Sequence, residues 1–166
     1  HKGLYWSKVP GTDGAKTVEP DEDYMVPLGK GRVVQEAMPH KVDNGESCVV
    51  ITYGMGVHWA LDALKEYPDI NAEILDLRTL LPLDYDAIRA TVQKTGKAIV
   101  LYEDTLTAGI GAEVAAWISE HCFTHLDAPV MREASLDTPV PFATVLEQNF
   151  LPKERFKVKL RELSGW

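Results

Sequence analysis

The sequence is poor in cysteine, which occurs only at Cys48 and Cys122. Neither a Cys-x-x-Cys pair nor a His–Cys spacing typical of a metal site is present. This scarcity excludes a disulfide-stapled scaffold and indicates a reducing compartment, so we expect a cytoplasmic protein. Both thiols lie in apolar stretches, and we predict that they are small apolar residues of the core.

Positive charge and long apolar runs are also lacking. The chain has 17 Lys and Arg residues against 25 Asp and Glu residues, which gives a formal charge of −8 at pH 7. A general nucleic-acid binder needs a basic face to neutralise phosphates, so this class is excluded, whereas a basic protein partner suits the charge. No apolar run approaches the roughly 20 residues of a membrane span, and no signal peptide is visible, so we expect no membrane association.

Residues 1–24 differ in composition from the rest of the chain. They are rich in glycine, proline and charge, and Glu19, Asp21, Glu22 and Asp23 form an acidic cluster. Such a stretch has too little apolar periodicity for a core element, so we predict a linker or surface arm. The chain begins at His1 without methionine, and we therefore expect an excised fragment whose folded domain comprises residues 25–166.

From Gly45 onward, short apolar strands alternate with amphipathic helices. This alternation with short links predicts parallel strands joined by right-handed crossovers. The expected fold class is α/β, a three-layer αβα sandwich around a mostly parallel twisted sheet. The predicted strands are 47–53, 72–77, 98–102 and 130–133, and the predicted helices are 57–66, 85–95, 109–122, a short one from 144, and 155–163.

Two of the predicted helices carry boundary signals. Asp84 precedes an apolar helical face and suits an N-cap, while Gly96 suits the end of the same helix. Thr144 and Glu147 have the spacing of a capping box that opens a short helix, and Pro152 limits that helix.

The segment after the third predicted strand is the first candidate for chemistry. Glu103 and Asp104 arrive together and are followed by Gly109 and Gly111 at a helix start, where free N–H groups favour anions. The glycine pattern has no third glycine and no lysine, so as a phosphate loop it is weak. We therefore favour a structural role, in which the glycines permit a tight turn and close packing.

Other polar residues give weaker signals. Asp76 and Arg78 point the same way on a strand, and we expect a structural pair in preference to an anion site. His58 has no neighbour that completes a catalytic triad. His121 and His125 have ligand spacing, but the helix should end between them and no third ligand is evident. We thus predict no catalytic, cofactor-binding or metal-binding residue in this chain.

Three segments carry a family resemblance: DLRTLLPLD (76–84), EDTLTAGIGAEVAA (103–116) and DTPVPFA (137–143). Together they resemble the C-terminal domain of the β subunit of thiamine-diphosphate-dependent 2-oxo acid dehydrogenases, within the transketolase C-terminal family. The resemblance runs from about Pro27 to Phe156. Within it, the sequence of residues 118–143 is more similar to the branched-chain (2-oxoisovalerate) type than to the pyruvate type.

The resemblance implies a role in assembly and docking. The whole enzyme would use thiamine diphosphate and Mg²⁺ to decarboxylate a 2-oxo acid and acylate lipoyl groups. The cofactor would bind to the α part and to an N-terminal domain upstream of residues 1–24, so this chain alone should be catalytically silent. Its partners would be the α part and a second β part, with the mitochondrial matrix as the location in a eukaryote.

The resemblance also implies a partner-binding role for Asp127 and Trp166. Asp127 should lie in an exposed turn, where the simpler interpretation is a carboxylate that caps backbone N–H groups. In the resembled family, the matching acid and the C-terminal carboxylate contact the subunit-binding domain of the lipoyl acyltransferase core. An acidic domain that meets a small basic one is electrostatically sensible.

Two alternatives remain open at this point. One is the same domain in another thiamine enzyme, such as transketolase or deoxyxylulose-phosphate synthase. The other is a free-standing α/β module that binds a nucleotide through the glycine loop.

Overall fold

The computed structural model describes residues 20–166, which form a five-stranded sheet with helices on both faces. Most of the predicted arm, including Glu19, lies outside the described residues, so its boundary at residue 24 stays a prediction. The strands are β1 (Arg32–Gln35), β2 (Ser47–Thr52), β3 (Asn71–Asp76), β4 (Ala98–Thr105) and β5 (Met131–Ser135).

The sheet has the strand order β1-β3-β2-β4-β5. Strands β2, β3, β4 and β5 are mutually parallel, and β1 pairs antiparallel with β3. The predicted mostly parallel α/β sheet is thereby confirmed. All the parallel strands begin at one end of the sheet, called here the amino end, and finish at the opposite, carboxyl end.

Within residues 20–166, six α-helices and one 3₁₀ turn lie between the strands or follow the last of them. The helices are α1 (Pro39–Asp43), α2 (Met55–Glu66), α3 (Tyr85–Thr95), α4 (Ile110–His121), α5 (Thr144–Phe150) and α6 (Lys153–Ser164), and the 3₁₀ turn is Phe123–His125.

The core consists of two clusters, one on each face of the sheet. Helices α2 and α6 cover one face and contribute Trp59, Leu160 and Leu163 to its cluster. Helices α3 and α4 cover the other face, with Ile88 and Ile118 in the second cluster. Strand residues alternate between the two clusters, as the two-residue period of a strand requires. The expected three layers are therefore present.

Several boundary predictions are confirmed. The Asp84 carboxylate accepts a hydrogen bond from the Ala87 N–H at 3.1 Å, as an N-cap should. Gly96 ends α3 in the left-handed region, with φ 71°.

The prediction that both cysteines belong to the core is also confirmed. Cys48 and Cys122 are both buried, and loss of solvation raises the pKa of the Cys48 thiol to about 12.

The predicted capping box is wrong. Helix α5 begins at Thr144 itself, Ala143 occupies the N-cap position, and no side chain caps the helix. The sequence also predicts no element between residues 25 and 46, yet β1 and α1 form there. Strand β1 is short and is stabilised by pairing with β3, a contact that local patterns do not encode.

Candidate functional site

Asp127 lies at the amino end of the sheet, in the turn between the 3₁₀ turn and β5. Its backbone N–H donates to the carbonyl of Gly96 at 2.8 Å, which ties this turn to the end of α3. The next residue, Ala128, is buried in the core cluster under α6. The backbone of Asp127 is therefore held firmly, while its side chain is exposed as predicted.

The Asp127 carboxylate has no partner in the part of the chain that the structure describes. It accepts no hydrogen bond there and forms no ion pair, in contrast to Asp69, Asp84 and Asp137, whose carboxylates all accept hydrogen bonds. The simpler interpretation of Asp127 as a turn-capping carboxylate thus receives no support. An exposed carboxylate on a fixed backbone is available to a cation from outside.

Helix α6 brings Trp166 to the same end of the sheet. Near its start, Arg155 donates to Glu133 at 2.9 Å and to the Ala134 carbonyl at 2.7 Å, both in the second half of β5. Near its end, Arg161 binds Asp69, which lies just ahead of β3. Helix α6 therefore runs antiparallel to the strands and ends at the amino end.

The C-terminal turn is closely attached to the core. Leu163 is fully buried in the same cluster as Ala128, the neighbour of Asp127. The N–H of Trp166 donates to the Leu163 carbonyl at 3.3 Å, and the indole is 60% exposed. The structure thus places both residues predicted to bind a partner, Asp127 and Trp166, at one end of the sheet.

An ion pair links α6 to the segment just ahead of β3. The Arg161 guanidinium makes two hydrogen bonds to the Asp69 carboxylate, one of them 3.2 Å long, and its Cζ lies 4.5 Å from the ring centre of Tyr67. Hydrogen bonding from Arg161 holds the pKa of Asp69 below its usual range. Sequence patterns gave no signal for this pair, because the two residues are 92 positions apart.

At the carboxyl end, the space beside the glycine loop is occupied by the ring of Tyr102. A Cβ on Gly111 would lie 2.0 Å from Cε1 of Tyr102, and a Cβ on Gly109 would lie 2.6 Å from Cε2 of the same ring. Tyr102 is fully buried, and its hydroxyl donates to the Leu106 carbonyl at 3.2 Å. The glycines therefore make room for Tyr102, which supports the structural interpretation over a phosphate loop.

The other polar candidates also have structural partners. The Asp76 carboxylate accepts a hydrogen bond from the backbone N–H of Arg78 at 3.0 Å, while the Arg78 guanidinium contacts the hydroxyl of Tyr24. Burial raises the pKa of Asp76. The expected side-chain pair of Asp76 and Arg78 is therefore wrong. Strand β3 ends at Asp76, so Arg78 lies beyond the strand with φ 58°, and its guanidinium turns to Tyr24.

The two histidines with ligand spacing are separated as expected. Helix α4 ends at His121, whose ring stacks on Trp117 with 4.6 Å between ring centres, and His125 lies in the following 3₁₀ turn. Within residues 20–166, no three His, Cys, Asp or Glu side chains are placed to hold a metal ion together. Nor does any helix in that range have the length and apolar character needed to cross a bilayer.

Comparison with known proteins finds a matching domain family and a similar solved structure. Residues 38–155 match the family model for the transketolase C-terminal domain. In solved structures, an inactive β4 tetramer of a split-gene transketolase aligns with a TM-score of 0.70 at 22% identity, covering 92% of this chain and 46% of that one. This structural likeness shows the fold.

Closer sequence relatives are dehydrogenase subunits. The chain is 42% identical over 149 residues to the 2-oxoisovalerate dehydrogenase subunit beta of Bacillus subtilis, covering 87% of this chain and 43% of that protein. It is 43% identical over 138 residues to the pyruvate dehydrogenase E1 component subunit beta of the same organism, covering 82% and 40%. The chain spans less than half the length of these relatives, and the two identities do not separate the substrates.

Proposed function

Because the chain belongs to the transketolase C-terminal domain family, we propose that it is the C-terminal domain of the β part of a 2-oxo acid dehydrogenase decarboxylase component. The whole enzyme oxidatively decarboxylates 2-oxoisovalerate or pyruvate with thiamine diphosphate and Mg²⁺, and acylates lipoyl groups. The names of the relatives support this assignment, since both 2-oxoisovalerate and pyruvate dehydrogenase β subunits match over more than 80% of this chain.

The residues described here do not fit the cofactor or its metal. The space at the glycine loop, where a diphosphate would have to bind, is occupied by Tyr102, and residues 20–166 contain no metal-binding cluster of acidic, His or Cys side chains. The role proposed for this domain therefore involves no step on the cofactor. It consists of assembly at the carboxyl end of the sheet and docking at the amino end.

Exposed apolar side chains support the assembly role. In the segment that follows β5, Val140, Phe142 and Val145 are 65%, 91% and 70% exposed. This segment is attached to the carboxyl end, because the Asp137 carboxylate accepts hydrogen bonds from the N–H and hydroxyl of Thr107, which follows β4. Large exposed apolar patches mark interaction sites, so we assign this surface to packing against the α part and a second β part.

The observation that carries the docking role is the Asp127 carboxylate, which has no partner within residues 20–166 and lies at the same end of the sheet as Trp166. A lysine or arginine of the partner would find there a carboxylate with no competing internal cation. We therefore assign Asp127 and Trp166 to binding the subunit-binding domain of the lipoyl acyltransferase core.

Titration calorimetry with the assembled enzyme and the recombinant subunit-binding domain tests this assignment. We expect Asp127→Asn to weaken binding because it removes the carboxylate contact, and Trp166→Ala to weaken it because it removes an exposed aromatic side chain from the same end of the sheet. Loss of one partner of a desolvated charge pair costs about 2–5 kcal/mol, and a pair at the rim costs much less. The effect of Asp127→Asn should shrink as salt rises if the contact is solvent-accessible.

A charge-matched variant provides the control. Asp62→Asn removes the same charge from the exposed surface of α2, where Asp62 makes only loose ion pairs at 3.6 Å. This control should bind like the parent enzyme. Unchanged affinity in both Asp127→Asn and Trp166→Ala would refute the docking assignment.

A further inference from the structure

We propose that Gly96 is a positioning residue for docking, because it leaves open the space that the Asp127 carboxylate occupies. This inference rests on the proposed docking function and adds a second residue to it, one that touches no partner itself. Gly96 ends α3, whereas Asp127 follows α4, so the two come together only in the tertiary structure.

The backbone of Gly96 fixes the backbone of Asp127. Gly96 adopts φ 71° and ψ −16°, and its N–H donates to the Val92 carbonyl at 2.9 Å, which closes the last turn of α3. Its carbonyl then accepts the N–H of Asp127 at 2.8 Å. The helix end and the Asp127 turn are thus one hydrogen-bonded unit.

The side chain of Asp127 lies directly over the glycine. A Cβ built on Gly96 would be 2.1 Å from Oδ2 of Asp127, 3.1 Å from its Cγ and 3.6 Å from its Cβ. Real Cβ atoms essentially never approach another heavy atom within 3.0 Å. Any side chain at position 96 must therefore push the carboxylate out of its present place.

This displacement should be easy for the fold and harmful for docking. The Asp127 carboxylate is exposed and makes no hydrogen bond or ion pair within residues 20–166, so rotating it away breaks no internal bond. A docking cation, however, depends on where that charge sits, because interfacial charge pairs set register. Substitution of Gly96 should thus weaken docking by more than its effect on folding accounts for.

Gly45 offers a matched control for the backbone. It has nearly the same conformation, φ 73°, and also lies at the amino end, just before β2. A Cβ on Gly45 would meet nothing within 4 Å. Alanine at either position pays a similar cost for the left-handed conformation, but only alanine at position 96 displaces Asp127.

The test compares Gly96→Ala with Gly45→Ala in the assembled enzyme, by calorimetric titration with the recombinant subunit-binding domain. We expect Gly96→Ala to weaken binding about tenfold, less than the loss of a fully desolvated charge contact because the carboxylate is displaced and not removed, and Gly45→Ala to bind like the parent. Thermal melts of the two variants should shift by similar amounts. Gly96→Asn is a second variant, because asparagine tolerates the left-handed conformation but still carries a Cβ.

A double-mutant cycle distinguishes the possible outcomes. In the Asp127→Asn background, Gly96→Ala should cause little further loss, because the charge that it displaces is already gone. An equal loss in both backgrounds, or parent-like binding by Gly96→Ala and Gly96→Asn while Asp127→Asn binds weakly, would overturn the role of Gly96. Parent-like binding by Asp127→Asn would instead overturn the docking function itself.

Discussion

Gly111→Ala is the substitution for which the structure predicts the clearest loss of stability. The added methyl would lie 2.0 Å, 2.4 Å and 2.6 Å from Cε1, Cδ1 and Cζ of Tyr102. Because the ring of Tyr102, a residue of β4, is fully buried against the start of α4, the whole ring or the start of α4 has to move. The clash therefore cannot be relieved by turning an exposed side chain.

The size of the loss follows from two contributions. Inserting a methyl group into a packed core typically costs about 1–3 kcal/mol of unfolding free energy. Moving the ring also strains the hydrogen bonds of the Tyr102 hydroxyl with the Leu106 carbonyl, at 3.2 Å, and with Arg132, at 3.3 Å. Hydrogen bonds of this kind contribute about 0.5–1.5 kcal/mol each, so we expect a total of roughly 2–4 kcal/mol.

Urea denaturation followed by circular dichroism measures this loss, with Gly165→Ala as the control. Gly165 has a negative φ and the nearest atom to an added Cβ is 3.4 Å away, so that variant should remain within about 0.5 kcal/mol of the parent. Combining Gly111→Ala with Tyr102→Leu should cost less than the sum of the two single changes, because the smaller side chain makes room for the methyl. A Gly111→Ala protein as stable as the parent, or strict additivity with Tyr102→Leu, would refute the close packing.

Three further outcomes are expected. Lys94→Met leaves the Glu73 carboxylate, which is 1% exposed, without its cation. Burial already raises the pKa of Glu73, so the loss of stability should be largest near pH 8 and should shrink as Glu73 takes up a proton towards pH 4. A loss that does not change with pH in urea titrations would contradict this. Leu163→Ala leaves a cavity where a fully buried side chain of α6 packs, and it should lower the unfolding free energy by about 2–5 kcal/mol in the same assay. A loss under about 1 kcal/mol would contradict this packing. Cys48 and Cys122 should react with a thiol reagent at pH 8 only after denaturation, because burial raises both thiol pKa values, and rapid labelling of the folded chain would show that a thiol is accessible.

The strands and most helices could be predicted from the sequence because their signals are local. A fully buried strand such as β2 is a continuous apolar run, and a helix such as α3 has an N-cap at Asp84 and a glycine at its end. The motifs from residue 76 onward were sufficient to identify the family that the comparisons then showed. These features depend on residues close to one another in the chain.

Other elements depended on distant partners and could not be predicted in this way. Strand β1 has four residues and its order comes from pairing with β3, about 40 positions later. The capping box at Thr144 and Glu147 failed because Thr144 is already the first residue of α5, which leaves Ala143 in the N-cap position. A local cap contributes about 1 kcal/mol, which tertiary packing readily outweighs.

By itself, the sequence determined the fold class, the family and the exposed turn at Asp127, since all three depend on periodicity and local motifs. Only the tertiary structure decided that α6 runs antiparallel to the strands and thereby brings Trp166 to the same end of the sheet as Asp127. It also decided that Gly111 faces Tyr102 and that Gly96 lies under the Asp127 carboxylate. The physical reason is that a glycine in a sequence does not indicate which residue will occupy the space beside its Cα, because that neighbour is set by tertiary packing.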